Sequence, residues 1–304
     1  MQILLSGSSG LLGSALAPRL ESLGHSVVRL VRASSVVNGP QIQWSPQAGL
    51  LESEALEHID AVIHLAGENI GGKRWSPEQK ARILASRTQP TSLLARTLAA
   101  LDHPPQVLIC ASATGFYGDR GDEILDEDSA VGTGFLPEVC QAWEEAADPA
   151  RQAGIRVAHI RFGVVLSRQG GALAKMLPPF SWGVGGPMGS GRQYMGWIAL
   201  EDAVGSLIHI LAKDDLHGAV NAVAPEPATN AQFARALGRA LHRPSFLPLP
   251  AFVARLVAGE MADALLLAST RAVPRRLFDS GFQFRHPQLD QAIDAALADH
   301  TIRL

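Results

Sequence analysis

The chain has 304 residues, enough to bury a sizeable core in one large or two modest domains. Its net charge of −3, with no run rich in Lys and Arg, offers no field for nucleic acid. Cys110 and Cys140 cannot build a disulfide framework, no CxxC or HExxH pattern marks a metal site, and no apolar run nears the roughly 18 residues of a membrane span.

Ile3-Leu4-Leu5 reads as a short buried strand, and it runs into Ser6-Gly7-Ser8-Ser9-Gly10-Leu11-Leu12-Gly13. Leu16, Leu20 and Leu23 then recur along one helical face, which ends at Gly24. The chain opens directly on that strand, so no signal peptide and a cytoplasmic setting are expected. Three glycines at intervals of three fall in the turn, where the backbone must bend tightly and approach a ligand closely. The first N–H groups of the helix are unpaired, and with the helix dipole they favour a diphosphate. The GxxGxxG spacing differs from the GxGxxG of ordinary Rossmann dehydrogenases. Its place at the head of an alternating βα pattern predicts a dinucleotide site over Gly7, Ser8, Ser9, Gly10, Leu11, Leu12 and Gly13.

Residues 26–32 give a second strand, 41–44 a short third strand and 50–57 a short helix. Asp60 to Gly67 reads as the fourth strand. Ser76 caps a long helix that Pro77 opens, with Ile83, Leu94 and Leu98 on its packed face. Residues 107–112 form the fifth strand, 135–153 a helix and 156–161 the sixth strand. This alternation predicts an α/β fold, a Rossmann-type doubly wound parallel sheet. The strand ends at 6–13, 32, 65–67, 112–117 and 161–164 then converge on one crevice. Beyond residue 165 the alternation weakens. Residues 183–191, with five glycines and a proline, read as a mobile loop over a pocket. Asp202 is expected to cap a helix, 218–223 to form a strand, and 230–241, 251–258, 261–268 and 287–298 to be helical. The expected division is a dinucleotide domain over 1–165, its sheet completed by parts of 190–225. A smaller, mostly helical substrate or lid region covers 166–304 and includes the segment 250–300.

The residue closing the second strand selects the cofactor, because a carboxylate there holds the ribose 2′-hydroxyl of NAD and repels the 2′-phosphate of NADP. No Asp or Glu occurs from Ser22 to Leu51. Val31 and Arg32 end the strand, with Ser34 and Ser35 just beyond, and a guanidinium fork with hydroxyls suits a phosphate. NADP is the expected cofactor; a solvated strand end is the other use of Arg32.

The glycine turn followed by His64-Leu65-Ala66-Gly67-Glu68-Asn69-Ile70 resembles the extended short-chain dehydrogenases/reductases. Arg74-Trp75, Ser86-Arg87, Phe116-Tyr117-Gly118-Asp119-Arg120-Gly121-Asp122-Glu123, Gly185-Gly186-Pro187, Trp197-Ile198 and Asn221-Ala222-Val223-Ala224-Pro225 narrow it. They resemble an atypical epimerase-like subgroup labelled cell-division-inhibitor-like, and the likeness covers essentially the whole chain. It extends to a C-terminal helical segment of unknown function. The resemblance implies NADP(H) lying across the sheet, with the glycine turn on the pyrophosphate and Arg32 on the 2′-phosphate. Leu65, Ala66 and Gly67 then lie on the adenosine side, Arg87 reaches the cofactor, and Val164 lies by the nicotinamide.

Active members of that group use a Tyr-x-x-x-Lys pair on the helix after the fifth strand, where the lysine lowers the tyrosine pKa. Residues 135–144 contain neither Tyr nor Lys, so the pair is absent. Ser112 and Tyr117 remain as candidates, one to hold a carbonyl and one to give a proton, against the alternative of ordinary loop hydrogen bonds. Cys140 and His64 read as packed core residues, and Lys73-Arg74-Trp75 as either an anion site or a solvated loop. Two functions stay open: an NADP(H)-dependent, epimerase-like oxidoreductase on an unknown small molecule, or a cofactor-bound regulatory protein without turnover.

Overall fold

The computed structural model describes residues 1–32 and 39–298. Eight strands form the central sheet: β1 (Gln2–Ser6), β2 (Ser26–Arg32), β3 (Gln41–Ser45), β4 (Leu50–Leu51), β5 (Ala61–His64), β6 (Val107–Ala113), β7 (Arg156–Phe162) and β8 (Gly218–Ala222). They lie in the order β8-β7-β6-β5-β1-β2-β3-β4, parallel throughout except for the β3–β4 pair. The order reverses at β1, whose neighbours are β2 and β5. That gap at the carboxyl ends is where doubly wound sheets bind ligands.

Alternate strand residues feed two layers, as a pleated strand buried on both faces requires. Ile3, Leu5, Ile63, Ile109 and Ile160 pack on helices α1 (Leu11–Ser22) and α6 (Leu200–Ala212). Leu4, Val62, Leu108 and Val157 pack on α2 (Pro77–Ala99) and α4 (Asp148–Gln152). Ser76 caps α2 as expected, accepting from the Gln79 N–H at 3.2 Å. A second core joins α5 (Gly171–Ser181), α7 (Asn230–Ala240) and α10 (Leu289–Ala298) through Leu173, Phe180, Phe233, Leu237 and Ile293. Helix α8 (Ala251–Ala258) packs through Ala254 and Ala258 on Ala262, and α9 (Arg275–Asp279) lies on the sheet beside β8, with Leu277 in the sheet core.

Several expectations need correction. Residues 50–57 are not a helix: Leu50–Leu51 pairs with β3, and only Glu54–Leu56 makes a 3₁₀ turn. The 135–153 helix is two, α3 (Phe135–Glu145) and α4, the second carrying Pro149 in its first turn, where a missing N–H costs no hydrogen bond. Residues 262–267 form a π-helical turn. Asp202 does not cap α6. Its carboxylate accepts from the backbone N–H groups of Arg285 at 2.7 Å and His286 at 3.0 Å, tying the C-terminal segment to α6. The 183–191 stretch is packed, with the Leu249 N–H on Pro187 O at 2.8 Å and the Gly189 N–H on Leu249 O at 2.9 Å. A Cβ on Gly186 would stand 1.9 Å from Leu247 O, so glycine there serves a close approach of two backbones.

Candidate functional site at the strand switch point

The three glycines of the turn have different causes. Gly7 has φ +70°, and a Cβ there would stand 2.8 Å from the Leu65 carbonyl carbon. A Cβ on Gly13 would stand 2.3 Å from Gly7 O. Both are demanded by the chain's own backbone. Gly10 is different: it is exposed, and an added Cβ would meet only Gly7 O, at 3.2 Å. The space beside Gly10 is otherwise left open by the protein, as a cradle for a ligand must be. Gly10 is the N-cap of α1 without a side-chain cap bond, so the N–H groups of Leu11, Leu12 and Gly13 are free to receive an anion. Ser8 and Ser9 complete the turn. Leu65, Ala66 and Gly67 form the facing lip, held by the Leu65 N–H on Ser6 Oγ at 3.2 Å.

At the outer edge, Val31 is buried and Arg32 exposed, at the end of β2. Ser34 and Ser35 lie outside the described residues. On the inner side, Arg87 of α2 lies against Gly67, where a Cβ would stand 3.5 Å from its Cζ. Burial lowers the pKa of its guanidinium, whose bonds go to the uncharged Ile83 O, Ser86 Oγ and Glu68 O. Val164 opens the short strand Val164–Leu166 and donates to Gly196 O at 2.8 Å. These elements sit at the carboxyl ends of β1, β2, β5 and β7, around the gap where the strand order reverses. The residues present fit a dinucleotide phosphate.

Beneath it lies a buried polar layer. Ser6 Oγ is 2.6 Å from His64 Nδ1, and His64 Nε2 is 3.1 Å from Thr91 Oγ1. The Thr91 hydroxyl already donates to Arg87 O and accepts from Trp143 Nε1, so the His64 proton sits on Nε2. Burial pulls the His64 pKa down to about 4. His64 is therefore a neutral core residue, as read from the sequence.

The second half of the layer joins residues from five elements: β6, the 3₁₀ turn Thr114–Tyr117, α3, β7 and β8. Arg161, closing β7, donates to Glu144 of α3 through Nε and Nη2, both at 2.8 Å, and lies over the Phe116 ring at 3.4 Å. Ser112 of β6 donates to Glu144 Oε1 at 2.7 Å. Arg161 Nη1 donates to the Tyr117 hydroxyl at 3.0 Å, and that hydroxyl donates to Asn221 Oδ1 at 2.7 Å. Tyr117 is 0% exposed, and burial pushes its pKa up to about 12. Ser112 is also buried, at 3%. Neither hydroxyl faces the crevice in this structure. The reason is local: Arg161 and Asn221 need partners where water is excluded, and Tyr117 supplies them. Cys140, four residues before Glu144, is a buried thiol whose pKa burial raises to about 12.

Residues 3–223 match the NAD-dependent epimerase/dehydratase family model, and residues 249–296 match a domain of unknown function, DUF1731. The chain belongs to the NAD-dependent epimerase/dehydratase family. An epimerase family protein of Mycobacterium bovis is 45% identical over 97% of each chain. The human epimerase family protein SDR39U1 is 37% identical over 98% of this chain and 100% of its own. Its crystal structure with NADPH superposes with a TM-score of 0.87, at 36% identity over 98% of this chain and 100% of that one. A nucleoside-diphosphate sugar epimerase of Corynebacterium glutamicum gives 0.80 at 36% identity, over 98% of this chain but 58% of its own.

For this family member, three site residues escaped the sequence reading: Glu144, Arg161 and Asn221. Each carried a signal. Arg161 and Asn221 interrupt apolar strands, and a charge or amide in a buried strand demands a partner. Glu144 is one of three carboxylates on α3, with Glu138 and Glu145, and the one that meets Arg161.

Proposed function

We propose that this protein binds NADP(H) in the crevice between β1 and β5 and works as an oxidoreductase on a small-molecule substrate. The observation that carries the reading is the open space at Gly10, which the chain itself leaves unfilled beside free helix N–H groups. NADPH binding by the human relative supports the choice of cofactor. When bound, the cofactor supplies a hydride. The chain's own part is to hold it: the N–H groups of Leu11, Leu12 and Gly13 on the diphosphate, Arg32 on the 2′-phosphate, Arg87 and Val164 along the inner half. Two free buried thiols suit a reducing cytoplasm.

The proton step departs from the usual pair, since α3 has neither Tyr nor Lys. Ser112 and Tyr117 instead act as positioning residues, fixing the Glu144–Arg161 ion pair beneath the reacting end. One observation favours a second reading, a cell-division-linked regulator without turnover: the hydroxyls of that layer are already bonded to protein. A screen of NADPH oxidation over aldehydes, ketones and quinones separates the two, with Gly10→Val as the blank. Turnover absent from the variant supports the enzyme; tight NADPH binding with no turnover on any carbonyl supports the regulator.

A further inference from the structure

Helix α5 lies across the crevice. At its start a Cβ on Gly170 or Gly171 would stand 3.8 or 3.6 Å from the methyl groups of Leu11, so α5 begins on the diphosphate turn itself. One turn later Lys175 reaches the opposite lip, where its Nζ donates to Gly71 O at 2.5 Å. That lip is a tight turn, with the Gly71 N–H on Asn69 Oδ1 at 2.9 Å. A carbonyl dipole does not neutralise an ammonium, and among the described residues no carboxylate pairs with Lys175. Lys80, by contrast, has Glu260 at 2.5 Å. The glycine turn that receives the diphosphate carries no cationic side chain.

We propose that Lys175 is a phosphate-binding residue that closes the crevice, its ammonium shared between the diphosphate of the bound dinucleotide and Gly71 O. The proposal rests on the dinucleotide reading above. A lysine suits the task because its charge is compact and its stem flexible, so it can shift from a carbonyl to a phosphate oxygen without moving the helix. Release of the dinucleotide then requires the Lys175 bridge to open.

Lys175 is exposed, so Lys175→Met leaves the packed core untouched. The test measures affinity and release rate for NADPH, NADH and adenosine 2′-monophosphate, which has the 2′-phosphate but no phosphate at the diphosphate position. Lys175→Met is expected to weaken NADPH at least tenfold, mainly through faster release. It should keep adenosine 2′-monophosphate within twofold and leave the NADPH-to-NADH ratio unchanged, while Lys175→Arg retains most of the affinity. NADPH release from Lys175→Met at the wild-type rate overturns the assignment, as does an equal loss for both ligands. Absence of NADPH binding by the wild-type protein overturns the cofactor reading itself and the lysine with it.

Discussion

Tyr117→Phe removes one oxygen from the centre of the buried layer. The change leaves Asn221 Oδ1 without its donor and one Arg161 N–H without its acceptor, at positions 0% and 4% exposed. A buried polar group stripped of its partner costs about 1–3 kcal/mol, so two such groups set an expected loss of about 2–6 kcal/mol. For a chain of this size that is a fall in Tm of roughly 5–15 °C. Tyr194→Phe is the internal control: the Tyr194 hydroxyl is half-buried with no hydrogen bond among the described residues, so its loss should cost under about 0.5 kcal/mol. Paired denaturant titrations, read by Trp fluorescence, compare the two. If Tyr117→Phe is no more costly than Tyr194→Phe, the hydroxyl does not hold the layer together. Loss of turnover with full stability would likewise return Tyr117 to the role of direct proton donor.

The glycine turn gives a pair with opposite outcomes: Gly10→Val should fold and lose NADPH, whereas Gly13→Ala, with a Cβ 2.3 Å from Gly7 O, should fail to fold or melt far earlier; circular dichroism and titration read both. His64 sets an acid limit. Above pH 6.5 it is neutral in both states, but between 6.5 and about 4 the unfolded chain takes a proton that the folded chain refuses. Stability should therefore fall with pH across that window by about 3 kcal/mol, and His64→Gln should flatten the slope of unfolding free energy against pH. Glu144→Gln keeps the shape but removes the charge facing Arg161, so it should cost about 3 kcal/mol or more in a thermal melt, with NADPH affinity unchanged.

The sheet was legible because period and punctuation agreed: Ile3 to Leu5, residues 26–32 and 107–112 are apolar runs bounded by turn residues. Leu50 to Glu57 misled, since a two-residue edge strand carries no period of its own and gets its structure from pairing with Ser45 and Trp44. The cofactor half of the site was readable because glycine spacing is local. The polar layer was not, since Ser112, Arg161 and Asn221 meet through the parallel register of β6, β7 and β8, and Glu144 joins them from α3. The glycines of 183–191 suggest flexibility in the sequence, but they are packed: Gly186 on the Leu247 backbone, Gly185 on the Phe180 ring and Gly191 on Ala231.

The dinucleotide reading stands most directly on one titration, NADPH against NADH on the wild-type protein and on Arg32→Ala. Arg32 is exposed at the end of β2, and no acid lies between Ser22 and Leu51 to repel a phosphate. A charge-assisted bond to the 2′-phosphate contributes about 1.5–3 kcal/mol, which sets a preference for NADPH of at least about tenfold. The wild-type protein should show that preference, and Arg32→Ala should lose it while keeping its NADH affinity. Equal affinity for the two cofactors, or an undiminished NADPH preference in Arg32→Ala, would contradict it.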